Sequence, residues 1–266
     1  MHARVRSTAR ITPSLVRVVL GDGDLDGFVA PDETDAYVNV AIPPAEAPYD
    51  AVFDPQQVRA DHPAEVQPAR RRYTVRSWDP TARELTIDFV VHGTEGVAGP
   101  WAEAARPGDV LVFEGPSGGY RPDPEADWHL MVGDESALPA IAASLEAVPA
   151  GAPVVVRLVC DGPDHELELT TPGRLDLAWL HRTGVPADAT LLADSLRDLA
   201  FPEGRVHAFV HGEAEEVRAV RRHLLADRGL PRAEMSCSPY WRRTMTDEAW
   251  RRVKREFVAA MEADVG

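Results

Sequence analysis

The sequence predicts two domains of different class, an antiparallel β-barrel followed by an α/β domain with a parallel sheet. Three observations carry this. Up to about residue 120, short apolar runs follow one another with almost no helical periodicity. Residues 118–127, GGYRPDPEAD, gather glycine, proline and acid into a linker-like run. Beyond it, buried-strand and helix patterns alternate, which asks for a parallel sheet covered on both faces, with ligands at its carboxyl edge. The expected domains are therefore residues 1–122 and 127–266.

In chain order, strand-like alternation starts almost at once. Residues 15–20, 37–42 and 73–78 are rich in β-branched and aromatic side chains and are bounded by Gly, Pro and Asp. In residues 84–91, Leu85, Ile87, Phe89 and Val91 make an apolar face, while Glu84, Thr86, Asp88 and Val90 make a mixed one, as in a barrel wall. Residues 43–70, with little periodicity and many Pro, Ala and Asp, read as a long loop, and residues 110–114 as a strand after the turn Pro107-Gly108-Asp109. In the second half, residues 128–132, 154–160 and 206–210 read as buried strands. Residues 137–147, 213–227 and 246–261 read as helices, the last with Trp250, Val253, Phe257 and Met261 on one stripe.

Composition narrows the function. With 44% hydrophobic and 27% charged residues among 266, the chain is neither disordered nor fibrous. A net charge of −15, from 43 acids against 28 bases, repels nucleic-acid backbones and anionic lipid. The start has no apolar core of signal-peptide length, and the weakly polar residues 137–156 contain Glu146 and three prolines, so we expect a cytoplasmic protein with no membrane span. Cys160 and Cys237 are too few for a disulfide framework or a thiolate metal site. His207 and His211, four apart on a strand, lie roughly 13 Å apart and cannot share an ion. No metal site is expected.

Four segments can carry chemistry. Arg71 and Tyr73 share a strand face, so a guanidinium can hold a phosphate while a phenol stacks on a planar ring; a basic loop running into an ordinary aromatic strand explains the same spacing. After His92, Gly96 and Gly99 permit close backbone approach, and Pro100 suits the first position of a helix whose amides attract phosphate; a glycine turn before a capped helix is the plain alternative. Gly133-Asp134-Glu135-Ser136 joins the first strand of the second half to its first helix, the crevice position for a nucleotide, although G-x-G-x-x-G is absent. Gly212 reaches the same edge from a later strand. Finally, Arg242, Arg243, Arg251, Arg252, Lys254 and Arg255 place six cations within fifteen residues of an acidic chain, which suits an anion, or else a solvated helix face.

Taken in order, these segments resemble the siderophore-interacting proteins, flavin-dependent ferric-siderophore reductases related to the ferredoxin-reductase superfamily. The likeness runs through ITPSLVRV, RRYTVR, DFVVHGTEGVAGPWAEAARPGD, GPSGGY, WHLMVGDESALPAIAASLE, AWLHR, HGEAEEVRAVRRHLL and SPYWRR. It implies an FAD-binding barrel followed by an NAD(P)H-binding-like α/β domain that reduces a ferric siderophore to release Fe(II), with NADPH, NADH or ferredoxin as electron donor. In that frame Tyr73 stacks on the isoalloxazine, Thr74 bonds near its reactive nitrogen, Arg71 holds the pyrophosphate, and Arg76 and Trp101 join the cofactor contacts. Asp88, Val90 and His92 line the flavin, and Ala98 and Gly99 form its phosphate turn. Gly133, Asp134, Glu135, Ser136, Gly212, Glu213 and Trp241 surround the nicotinamide edge, and Arg242, Arg243 and Lys254 hold the iron complex. Three residues depart from the family pattern: Pro100 brings no N–H to the phosphate turn, Pro239 replaces a glycine, and Thr244 stands where glycine is common. The resemblance implies no catalytic acid and a monomer. A general flavin reductase with a protein acceptor and a non-catalytic siderophore binder are the alternatives.

Overall fold

The computed structural model describes residues 1–93, 96–185 and 190–265 and divides into residues 1–119 and 120–266. The first unit holds seven strands, β1 (His2–Thr12), β2 (Leu15–Gly21), β3 (Tyr37–Ile42), β4 (Ala69–Thr74), β5 (Ser77–Asp79), β6 (Glu84–Val90) and β7 (Val110–Ser117). They form one antiparallel sheet in the order β4-β3-β7-β1-β2-β6-β5. The alternation read in residues 84–91 is borne out: Leu85, Ile87, Phe89 and Val91 all point into the core with Val18, Leu20, Val38 and Phe113.

Two expectations here need correction. Residues 73–78 are two strands, because β4 and β5 sit at opposite ends of the sheet order. The break is a stitch: the Val75 amide bonds to Ala36 O beside β3, and the next amide, Arg76, bonds to Thr86 O of β6. Two adjacent residues thus join the two ends of the sheet and curl it into a barrel. Residues 43–70 are also more than a loop, since helix α1 (Pro55–Asp61) forms there. Asp54 caps it by accepting from the Gln56 and Gln57 amides, and Pro55 occupies its first turn. A second short helix, α2 (Ala98–Ala104), follows β6.

The second unit is a parallel sheet of β8 (Trp128–Asp134), β9 (Pro153–Cys160), β10 (Arg174–His181), β11 (Val206–Glu213) and β12 (Met235–Trp241), in the order β10-β9-β8-β11-β12. All seven residues of β8 are buried, as a strand covered on both faces must be. Helices α3 (Leu138–Ala147), α4 (Leu191–Arg197), α5 (Ala214–Arg222) and α6 (Asp247–Ala263) complete the unit. On α6, Trp250, Phe257 and Met261 are buried and Val253 packs beside them, as the stripe predicts. The expected helix 213–227 is α5 plus a π-helical turn, His223–Asp227, and Glu213 lies before it as its N-cap. Strands β10 and β12 and helix α4 were not expected. Among the described residues no helix is long and apolar enough to cross a membrane.

Candidate functional site

In the first unit the relevant residues meet around β4, β6 and α2. Arg71 and Tyr73 alternate with exposed Arg70 and Arg72, so they do share a face. The Tyr73 ring packs on Phe89 of β6 at 4.3 Å, and Phe89 touches Trp101 of α2 at 5.4 Å, so three rings bind the three elements together. Arg71 donates from Nη1 to Arg70 O at 3.1 Å, Arg72 lies over the Tyr37 ring, and Thr74 is buried at the strand's end. Arg76 belongs to the stitch described above. Its backbone is spent on Thr86.

The Asp88 side chain is engaged within the sheet. Its buried carboxylate accepts two bonds, 2.7 and 2.8 Å, from Arg17, which faces it across the β2–β6 pair. Arg17 was not singled out; opposite charges on neighbouring predicted strands are the signal that finds it. Val90 is half-buried and His92 exposed, while Thr94 and Glu95 lie outside the described residues.

Helix α2 begins at Ala98 rather than at Pro100, which becomes its third residue. Proline is tolerated there because first-turn amides have no intrahelical acceptor. The Trp101 amide is already bonded to Val97 O, so the turn offers the amides of Ala98 and Gly99. A Cβ on Gly99 would stand 3.2 Å from Val90 O, so glycine lets α2 seat on the end of β6. A guanidinium, a ring face held by Phe89 and two amides form a donor set that fits a flavin with its diphosphate.

In the second unit, β8 and β11 are the neighbours at which strand order reverses, the crevice position of an open α/β sheet. Gly133, Asp134, Gly212 and Glu213 all come together at their carboxyl ends. A Cβ on Gly133 would lie 2.7 Å from both Ala137 Cβ and His211 O, and one on Gly212, whose φ is +143°, 2.7 Å from an Asp134 oxygen. Both glycines serve packing within the unit. Asp134, 1% exposed, accepts from the Ser136 amide and hydroxyl at Oδ1, and from the Glu213 amide and the Trp241 indole at Oδ2. Glu213 accepts from the Glu215 and Glu216 amides, which caps α5, and from the Arg243 amide.

Glu135 is equally committed. It takes two 2.7 Å bonds from Arg182, which follows β10 and also reaches Asp161. Burial works against the Arg182 charge, yet the Glu135 bonds outweigh it and hold the guanidinium above its ordinary range. Burial pushes the Glu135 carboxyl up, and Arg182 pulls it back. Arg182 had no assigned role in the sequence, because nothing local reveals a residue 47 positions away.

Several of the six cations are engaged within the unit. Arg242 pairs with Glu215 at 2.8 Å and lies over the Phe257 ring, and Arg243 pairs with buried Glu216 at 3.4 Å. Lys254, with Arg251 and Arg255, lines a shallow cavity of about 510 Å³ along α6 that Val258, Ala259 and Glu262 complete. Pro239 sits in the edge strand β12, where a missing N–H is tolerated, opposite Gly212. Thr244 adopts φ +64°, the left-handed region that explains why glycine is common at this position. Beneath the edge, His211 bonds to Ser236 Oγ at 3.0 Å and stacks on Phe209; burial, aided by Lys254, lowers its pKa to about 3, so the ring is uncharged.

Residues 4–120 match the family model "Siderophore-interacting FAD-binding domain", and residues 126–244 match "Siderophore-interacting protein". The ferric vibriobactin reductase of Vibrio cholerae is 36% identical over 245 residues, 90% of this chain and 88% of that protein. The NADPH-dependent ferric-chelate reductase of Escherichia coli is 30% identical over 239 residues, 87% and 89% of the two chains. The crystal structure of a siderophore utilization protein from T. fusca superposes with TM-score 0.79 at 36% identity, covering 93% of this chain and 94% of that one.

Proposed function

The chain belongs to the siderophore-interacting protein family, and from that premise we propose that it is an FAD-dependent oxidoreductase that reduces ferric siderophores with electrons from NAD(P)H. The observation that carries this is the donor set of the first unit, where Arg71 and Tyr73 share a face of β4 and the Tyr73 ring is braced on Phe89. In that role Arg71 and the amides of Ala98 and Gly99 hold the diphosphate, Tyr73 and Thr74 hold the ring system, and Arg76, Val90, His92 and Trp101 complete its surroundings. Bound flavin accepts a hydride and gives up single electrons, the conversion that nicotinamide and iron require. The nicotinamide enters at the carboxyl edge of β8 and β11, by Gly133–Ser136, Gly212, Glu213 and Trp241. Ferric ion is hard and is gripped by siderophore oxygens far more tightly than ferrous ion, so reduction frees it.

The reading includes a cytoplasmic monomer with a flavin domain at residues 1–122 and a nicotinamide domain at 127–266, Lys254 with Arg242 and Arg243 receiving the iron complex, and ferredoxin as an alternative donor. An anaerobic titration tests it. The purified yellow protein should bleach with NADPH or NADH and regain colour when a ferric siderophore is added. No bleaching by either nucleotide leaves ferredoxin as donor or a binder without turnover; bleaching with no recovery points to a protein acceptor.

A further inference from the structure

Asp134 lies in the turn assigned to nicotinamide, yet its carboxylate faces inward. Its two oxygens receive four donors: the Ser136 amide at 2.9 Å and hydroxyl at 2.5 Å on Oδ1, and the Glu213 amide and Trp241 Nε1 at 2.8 Å each on Oδ2. These donors come from the turn after β8, the junction of β11 with α5, and the end of β12. One anion therefore ties three strand ends together. Gly212 fits the same purpose, since a side chain there would meet the carboxylate. The two oxygens are used unequally: Oδ1 meets the Ser136 amide and a hydroxyl that can also accept, while Oδ2 meets two N–H groups that can only donate.

Asp134 accordingly has no lone pair aimed at a ligand, whereas Trp241 is half-buried at the carboxyl edge with its indole N–H donated to that carboxylate. Of the four donors, the indole is the one that belongs to a long side chain. We propose that Asp134 is a positioning residue for the nicotinamide donor: it fixes the Trp241 indole at the mouth of the β8–β11 crevice and makes no contact with the nucleotide itself. The proposal rests on the nicotinamide reading above and deepens it.

The test needs no turnover for its first arm. In protein labelled with ¹⁵N-tryptophan, the Trp241 indole resonance is the one missing from Trp241→Phe. In the wild type it should lie downfield, as an N–H donated to a carboxylate does, and in Asp134→Ala, which leaves no acceptor, it should move to the solvent-exposed value. Its remaining in place overturns the proposal. The second arm is the Michaelis constant for NADPH or NADH. Loss of the indole's charge-assisted bond should raise it roughly tenfold in Asp134→Ala and in Trp241→Phe, with kcat less affected. The double variant should be no worse than Asp134→Ala alone, because both remove the indole bond. Multiplying effects would mean that Asp134 acts by another route and would sink the proposal. Ser136→Ala, which loses only the hydroxyl bond, should leave the indole resonance where it is; a shift would show that the turn, not the indole bond, sets the pose. If neither nucleotide reduces the wild type, the nicotinamide reading fails on its own while the resonance arm still reports on the Asp134–Trp241 bond.

Discussion

Strand β4 and the turn after β8 carry motifs of similar length, but they spend their polar atoms differently. On β4, Arg71 and Tyr73 stand half-buried on a strand at the end of its sheet, and the phenol ring is braced on one side by Phe89. In the turn, Asp134 and Glu135 are buried and fully engaged, the first by four donors and the second by Arg182. A motif is therefore no guide to which of its atoms meets a ligand. In the second region the charged groups build the frame of the strand ends, the first by joining β8, β11 and β12 and the second by joining β8 to the end of β10.

The largest test of that contrast is Arg182→Met. It strands a buried carboxylate, and breaking one side of such a pair costs about 3–5 kcal/mol, readable as a lower urea midpoint. Acidification should recover part of it. Burial raises the Glu135 carboxyl, so the folded variant takes up a proton more readily than the unfolded chain, and its deficit narrows as pH falls. A variant as stable as wild type at neutral pH would mean that the turn is not held by its charges.

Next in size is acid sensitivity in the same unit. Neither ring nitrogen of fully buried His129 has a hydrogen-bond partner, and burial, with His207 beside it, lowers its pKa from 6.5 to about 4. Between those values the unfolded chain binds a proton that the folded chain refuses, so stability falls by about 1.4 kcal/mol per pH unit on acidification. His129→Leu should flatten that limb in a pH series of urea melts, and an unchanged slope would assign it to other groups.

Arg71→Ala probes the other region. Losing a charge-assisted phosphate contact costs about 1.5–3 kcal/mol, or roughly tenfold to a hundredfold in flavin affinity, with unfolding little changed. Full flavin occupancy after dialysis would place the diphosphate elsewhere. Replacing Gly133 with a bulky residue is a poorer probe of the crevice than its position suggests, since the new side chain meets Ala137 and the His211 carbonyl before any ligand.

The smallest effect expected is electrostatic. Raising ionic strength from about 0.01 to 0.15 M shortens the Debye length from roughly 30 to 8 Å, so encounter with an anionic ferric complex should slow a few-fold while that with a neutral one holds steady. Lys254→Gln should weaken this salt dependence. Arg242 and Arg243 pair with Glu215 and Glu216, and a salt response untouched by the Lys254 change would move the substrate away from α6.

What the sequence made legible follows from which signals are local. The buried strands β8, β9 and β11 and the α6 stripe are periodic in their own residues. Strand β10 escaped because Arg174, Leu175 and Asp176 are exposed at a sheet edge, and β12 because its Ser, Cys and Pro are poor strand formers that an edge tolerates. The split of residues 73–78 was invisible for another reason. Val75 and Arg76 look like strand, and only their distant acceptors, Ala36 and Thr86, reveal the break. Helix α1 was within reach, since Asp54-Pro55 is a helix start. At the site, the sequence put Arg71 and Tyr73 on one strand face and Gly133 and Gly212 at one sheet edge, but the ion pairs of Asp88, Glu135 and Arg243 join segments far apart in the chain.

The place of β1 has a consequence for biosynthesis. It lies mid-sheet, flanked by β2, its neighbour in sequence, and by β7, whose Val110–Val112 pair with Arg4–His2 roughly a hundred residues away. As the chain leaves the ribosome, β1 and β2 can meet as a hairpin, yet the other edge of β1 stays open until β7 has emerged. The barrel therefore closes late and through non-local pairing, the slow kind, while its apolar strands wait exposed. Slowing elongation within residues 21–110 should lengthen that vulnerable interval, whereas the same pause after β7 should not.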